Sequence, residues 1–169
     1  MKKFVDNYGY LFMVVGVVLL LDQVTKFLVR WQLEPWDGRG PWNILGIDLY
    51  LVHMANTGMM MNLLQGAGLM ITIIGLIVAG VIFYYFPKVP RYNRMARLGM
   101  GLLLGGILGN LIDRIFVGYI TDFVLIGSLP VFNLADICVY AGVILLAISV
   151  LRDSKTKTSN QSGIADQAQ

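Results

Sequence analysis

Four apolar runs of about twenty residues, at 10–28, 68–86, 98–117 and 133–151, constrain this chain more than any other feature of its sequence. A helix rising 1.5 Å per residue crosses a hydrocarbon core of roughly 30 Å in about twenty residues. Inside lipid the backbone has no water to bond, so such runs must be helical. Composition agrees, since 57% of the 169 residues are hydrophobic and 14% are charged, against about 25% charged in an ordinary soluble domain. The sequence therefore predicts an α-helical integral membrane protein with four transmembrane helices, surrounded by membrane lipids. We expect one membrane-embedded unit over 1–153 and a polar, aromatic-free tail at 154–169 that stays disordered.

The basic residues give the orientation. Lys2 and Lys3 precede the first run, Lys88, Arg91, Arg94 and Arg97 crowd one short loop, and Arg152, Lys155 and Lys157 follow the last run. Positive charge of this kind marks the cytoplasmic side, placing both termini inside. It is a topology signal, with a net charge of only +3, and no nucleic-acid partner is implied. A lysine pair before an apolar run also resembles a secretory signal. However, Asp22, Gln23, Thr25 and Lys26 stand where a small-residue cleavage site belongs, so the first run is read as a retained span. The single cysteine, Cys138, excludes an internal disulfide. With His53 the only histidine, no His-rich metal site is possible, and we expect neither metal nor cofactor.

The connections at 30–66 and 118–132 then lie outside. Trp31, Pro35, Trp36, Gly38, Gly40, Pro41 and Trp42 read as turns and interfacial anchors. Residues 47–55 and 119–126 alternate like strands, so a short strand pair on the membrane surface is expected. Asn56, Thr57 and Gly58 form a turn signal before Met59, Met60 and Met61.

With this topology Asp22, Asn56, Asn110, Asp113, Arg114, Asp122, Asn133 and Asp136 converge at the outer surface. A carboxylate near hydrocarbon needs a partner, a wet cavity or a function. Asp122 and Asp136 are the natural candidates for a dyad that shares one proton, the ionised member activating water and the protonated one polarising a carbonyl. Structural readings stand beside this one. Asn133 is a suitable cap for the last helix and Asp136 complements its dipole. Asp122 also suits a surface strand, and Asn56 a plain turn. Asp22 and Lys26, four apart, fit an ion pair, and Asp113 beside Arg114 suits an internal pair closing the third helix. Gly101, Gly105 and Gly109 repeat every four residues, which allows close helix packing. A Cys–His enzyme is disfavoured, because Cys138 turns to a different face from Asp136 and His53 sits on a strand.

Taken in order, Asp22-Gln23-Val24-Thr25-Lys26, Asn56-Thr57-Gly58, Gly109-Asn110-Leu111-Ile112-Asp113-Arg114, Thr121-Asp122-Phe123 and Phe132-Asn133-Leu134-Ala135-Asp136 resemble the bacterial lipoprotein signal peptidase family, signal peptidase II. The resemblance implies four transmembrane helices with a small outer-face β-cradle in the bacterial inner membrane. It implies an aspartyl endopeptidase that cuts a diacylglyceryl-modified prolipoprotein before its lipidated cysteine, and sensitivity to the family's cyclic peptide inhibitors. By resemblance Asp122 and Asp136 are catalytic, and Asn56, Gly58, Asn110, Arg114 and Asn133 bind substrate or orient the dyad. Asp22, Lys26 and Asp113 support them.

Two departures stand out. The family has small residues and then an aromatic where this chain has Met59, Met60 and Met61, and Ser or Thr where it has Ile137. A catalytically altered paralogue that binds lipoprotein or lipid is thus the alternative. A proton-coupled transporter using Asp22 and Asp113 is disfavoured, because the polar groups gather at one surface and form no path across.

Overall fold

A computed structural model describes the backbone of residues 2–58 and 67–167 and the side chains of residues 7–58 and 68–152; the methionine triplet lies outside the described residues. The four helices are α1 (Lys2–Gln32), α2 (Ala67–Tyr85), α3 (Arg94–Phe116) and α4 (Leu134–Gln167). Their stretches Asn7–Gln32, Gly68–Lys88, Arg94–Phe116 and Leu134–Arg152 are long and apolar enough to cross a membrane. α2 passes into a single 3-10 turn, Phe86–Lys88, at Pro87. The tail departs from expectation: helical backbone continues through it as far as Gln167. No proline interrupts that segment, and extending an existing helix costs far less than nucleating one.

α3 is the central helix, with 56% of its apolar window buried against 11% for α2. Glycines make this closeness possible. A Cβ placed on Gly101, Gly105 or Gly109 would lie 2.7 Å from Val14, 2.8 Å from Val18 and 2.7 Å from the Asp22 carboxylate. The glycine stripe read from the sequence is therefore the groove into which one face of α1 settles. A second set faces α4. Gly99 lies against the Gly142 carbonyl, and Gly106 lies so close to the Ala135 carbonyl that a side chain has no room. Leu11 and Val15 of α1, Ile82, Phe86, and Met100 and Leu104 of α3 fill the apolar core between these helices.

A three-stranded antiparallel sheet, in the order β1 (Gly38–Ile44), β2 (Ile47–Asn56), β3 (Ile120–Ile126), caps one end of the bundle. Val29 of α1 and Leu33 just beyond it pack with Phe123, and Leu51, Val124 and Leu134 close around them. The sequence predicts two of these strands and misses β1, whose Gly-Arg-Gly-Pro-Trp-Asn-Ile reads as turns. β1 is tolerated because it is the sheet edge, where a missing proline N–H leaves no ladder bond broken. A shift of register between Arg39 and Trp42 absorbs the Gly-Pro step. Leu45 and Gly46, with φ of 54° and 82°, form the two-residue turn to β2. In the β2–β3 pairing a further register shift falls between Leu51 and Met54, immediately beside the Met54–Asp122 pair. Such bulges re-aim the side chains next to them.

The glycine groove gives a direct test. Gly105→Leu should lower thermal stability by about 1–3 kcal/mol, because the added atoms meet the branched carbon of Val18. Gly80→Leu should be tolerated, since nothing lies within 4 Å of a Cβ there. Equal melting temperatures for the two variants in detergent would refute the tight α1–α3 contact.

Candidate active site

Two clusters of polar side chains sit side by side at the sheet-capped end. The first is ionic. Lys26 Nζ lies 2.9 Å from Asp22 and 3.2 Å from Asp113, with all three side chains fully buried. Arg30 adds an ion pair to Asp113 at 3.4 Å and donates to Thr121 Oγ1 at 2.8 Å. Gln23 donates to Asp22 at 3.0 Å, to the Gly109 carbonyl at 3.1 Å and to Asp113 at 3.4 Å. The remaining acceptors reach other elements, since Asp113 takes the backbone N–H of Thr121 at 2.9 Å and Asp22 that of Ala135 at 2.9 Å. Ala135 is in the first turn of α4, whose N–H groups have no partner within their own helix. α1, α3, β3 and α4 are thereby joined through one cluster.

The expected Asp22–Lys26 pair is present, but Asp113 does not pair with Arg114. Adjacent residues on a helix point about 100° apart. Asp113 accordingly faces α1, while half-buried Arg114 faces a cavity of about 190 Å³ that it lines with Asn110, Asp136 and residues of α2.

The second cluster consists of amides and two carboxylates. Asp122, at 3% exposure, accepts from Asn56 Nδ2 at 2.8 Å and from Asn133 Nδ2 at 2.6 Å, one donor per oxygen. Asp136 Oδ1 accepts from Asn110 Nδ2 at 2.8 Å and Oδ2 from the Asn133 backbone N–H at 3.2 Å. Asn133 Oδ1 in turn accepts from the Asp136 N–H at 3.0 Å, a reciprocal cap at the start of α4. The capping geometry expected of Asn133 and Asp136 is present, and the same side chains join the network around Asp122. Asn110 Oδ1 takes Asn133 Nδ2 at 3.1 Å and Lys26 Nζ at 2.9 Å, which couples the ionic cluster to the amides.

Gly58 fixes Asn56. Its N–H donates to Asn56 Oδ1 at 2.9 Å, its φ is 85°, and a Cβ there would stand 2.8 Å from Gly68 Cα at the start of α2. A side chain at this position would be strained on both counts.

Asp122 and Asp136 both line one cavity of about 690 Å³, with Asn56 and an apolar wall that includes Val131, Phe132, Ile137, Tyr140 and Ile144. Burial pushes the Asp122 carboxyl up to about 6, aided by the charge of Asp136 and opposed by the hydrogen bonds from Asn56 and Asn133 and by Lys26. Two carboxylates thus face one recess, near enough for the charge of Asp136 to help raise the Asp122 carboxyl.

Sequence reading gives no role to Gln23, Arg30, Thr121 or His53. Arg30 continues the four-residue spacing of Asp22 and Lys26, which was a usable signal. His53 is buried, with Nδ1 2.8 Å from the Leu33 carbonyl and Nε2 3.4 Å from Tyr119 Oη, contacts between elements far apart in sequence that no local pattern announces.

The fold and this recess define a multi-pass membrane enzyme with its polar machinery at one end of the helix bundle. Comparison with known proteins makes the class specific. The family model for signal peptidase (SPase) II matches residues 14–152. A lipoprotein signal peptidase of Syntrophomonas wolfei is 38% identical over 144 residues, covering 85% of this chain and 94% of the relative. One from Shouchella clausii is 35% identical over 151 residues, covering 87% and 98%. A bacterial membrane enzyme solved by the in meso method at 2.3 Å superposes with a TM-score of 0.76 at 31% identity, covering 88% of this chain and 92% of its own. The chain belongs to the signal peptidase II family and is a peptidase.

Replacing Lys26 by Met should be severe, because it leaves Asp22 and Asp113 buried and facing each other. Removing one partner of a buried pair typically costs about 3–5 kcal/mol. Unfolding of the variant in detergent at the wild-type temperature would show that the cluster does not hold these elements together.

Proposed function

We propose that this peptidase removes the signal peptide of diacylglyceryl-modified prolipoproteins by cutting before the lipidated cysteine, with Asp122 and Asp136 acting around one water. The observation that carries this reading is the shared recess, in which Asn133 bonds both carboxylates while one wall is apolar. In the first step the ionised aspartate takes a proton from water as its oxygen attacks the scissile carbonyl, and the protonated aspartate donates to the carbonyl oxygen. The tetrahedral species then collapses as its C–N bond breaks with proton transfer to the departing nitrogen, which becomes the free α-amine of the lipidated cysteine while the signal peptide leaves with a new carboxyl terminus. Both carboxyls alternate as acid and base, which removes the need for a metal.

The other polar groups have defined tasks in this scheme. Asn110 and Asn133 fix the dyad, Asn56 with Gly58 fixes Asp122 from the sheet, and Arg114 receives the substrate backbone. Asp22, Lys26 and Asp113 support them from behind. The apolar wall toward Tyr140 and Ile144 meets the hydrophobic substrate without drawing it out of the bilayer. We place the recess near the outer face and both termini in the cytoplasm, on the distribution of lysines and arginines, with the peptidase unit at residues 1–153. The family's cyclic peptide inhibitors would act on the same recess.

Cleavage of a diacylglyceryl-modified prolipoprotein by the purified protein, alongside Asp122→Asn and Asp136→Asn, tests the reading. Each variant should lose roughly 10²–10⁴-fold in rate. An inert wild type on several lipidated substrates would favour a binding paralogue, whereas cleavage surviving in either variant would overturn the catalytic assignment of that aspartate.

The pH profile supplies a second test. A dyad active with one shared proton loses activity as that proton leaves, so kcat/KM should fall on the alkaline side with an apparent pKa belonging to the pair, at or above about 6. The Asn56 hydrogen bond favours the ionised form of Asp122. Asn56→Ala should therefore raise that pKa and move the alkaline limb to higher pH while lowering the rate. A limb that shifts to lower pH would contradict the assignment.

A further inference from the structure

The end of the bundle remote from the dyad holds a second built feature. A cavity of about 460 Å³ is lined by Tyr10 of α1, Arg91 of the loop before α3, and Arg94 and Arg97 of the first turn of α3. Arg97 is only 7% exposed. Its guanidinium donates to the carbonyls of Val89 at 3.1 Å and Asn7 at 3.5 Å, and stands 4.1 Å above the Phe86 ring. Among the described residues no carboxylate forms an ion pair with it, and the charge of Arg91 acts on it with like sign. Its contacts among the described residues are thus with neutral carbonyls and a ring, a setting in which a buried cation is costly. An anion in the cavity would relieve it, and the positive end of the α3 dipole adds to the attraction.

The place of the cavity narrows the choice of anion. Arg97 and Asp113 are sixteen residues apart on α3, about 24 Å along the axis. With Asp113 at one rim of the hydrocarbon layer, the arginines lie at the other, at headgroup depth. Exposed Tyr84 and Tyr85, with Lys88 Nζ 3.5 Å and 4.7 Å above their rings, mark the same level as an interface. Below the arginines, exposed Phe12 and Met13 offer a surface suited to acyl chains.

We propose that this arginine-lined cavity binds the phosphodiester headgroup of an anionic phospholipid. Guanidinium groups pair well with phosphate oxygens, and basic recesses between transmembrane helices suit such headgroups. The phosphate neutralises Arg97 and ties the loop before α3 to α1, while the acyl chains remain in the bilayer beside Phe12 and Met13. Because the cavity is far from the dyad, the proposal stands or falls independently of the cleavage reaction.

Native mass spectrometry of the full chain in zwitterionic detergent, titrated with phosphatidylglycerol, reads the affinity of the first lipid retained. Arg91→Gln and Arg94→Gln should each weaken it about fivefold, and the double variant roughly thirtyfold. Lys88→Gln removes a charge at the same level but outside the cavity and should leave it unchanged. Phosphatidylcholine should not be retained, and millimolar inorganic phosphate should not displace the lipid. Equal loss in Lys88→Gln and Arg94→Gln would reduce the effect to diffuse surface charge and overturn the site. Retention of phosphatidylcholine to the same degree would also overturn it. Displacement by inorganic phosphate would overturn the lipid assignment in favour of a soluble anion.

Discussion

The structure depends on the buried pairing of Lys26 with Asp22 and Asp113. Fully buried charges are tolerated only when paired and hydrogen-bonded, and here each remaining acceptor is satisfied by a different element. Asp22 takes a free N–H at the start of α4, Asp113 takes the N–H of Thr121 at the start of β3, and Lys26 reaches Asn110 on α3. These are the elements that carry the two carboxylates of the recess. Asp136 is one residue beyond Ala135, and Asp122 one beyond Thr121. The ionic cluster thus fixes the backbone beside each of the two recess carboxylates while staying out of the cavity itself.

Such a cluster can form only if the helices come close enough to bury it. The glycine stripe on α3 supplies that proximity: Val14, Val18 and Asp22 of α1 descend along Gly101, Gly105 and Gly109, and the next turn brings Lys26 to Asp113. In lipid there is little hydrophobic force between helices, so close packing at small residues and satisfied polar contacts carry the association. Packing along the groove and ion pairing at its end are successive turns of one interface. On the neighbouring face Gly106 lets α3 meet α4 at Ala135, which brings Asn110, one helical turn further along, within reach of Asp136.

Local and periodic features were legible in the sequence. The four spans, the glycine stripe, the Asp22–Lys26 pair and the Asn133 cap follow from helical spacing or hydropathy alone. The gathering of the polar residues at one level followed from the topology. What sequence did not disclose was partner choice across elements. Local spacing pairs Asp113 with its neighbour Arg114, whereas its cationic partners Lys26 and Arg30 lie more than eighty residues away on α1. β1 escaped notice because a strand stabilised as a sheet edge tolerates glycine and proline that would mark turns elsewhere. Helical backbone in the tail was missed because its composition has no apolar face, although continuation from an established helix requires none.

The partner chemistry separates the four aspartates into two kinds. Asp22 and Asp113 have cations against them, lie at zero exposure and line neither of the two cavities beside Asp136. Their oxygens are taken up by these cations and by the backbone N–H groups of Ala135 and Thr121. Asp122 and Asp136 receive amide donors, which orient each oxygen without neutralising its charge. Amides also cannot take a proton at ordinary pH, so a proton in this recess has only the two carboxylates to occupy. Lys26 belongs to both settings: its ammonium is spent on the structural pair, and only its field, passed through Asn110, reaches the recess. Lysines or arginines in place of the asparagines would set positive charge directly against the two recess carboxylates and favour their ionised forms, whereas amides orient the same oxygens without adding charge.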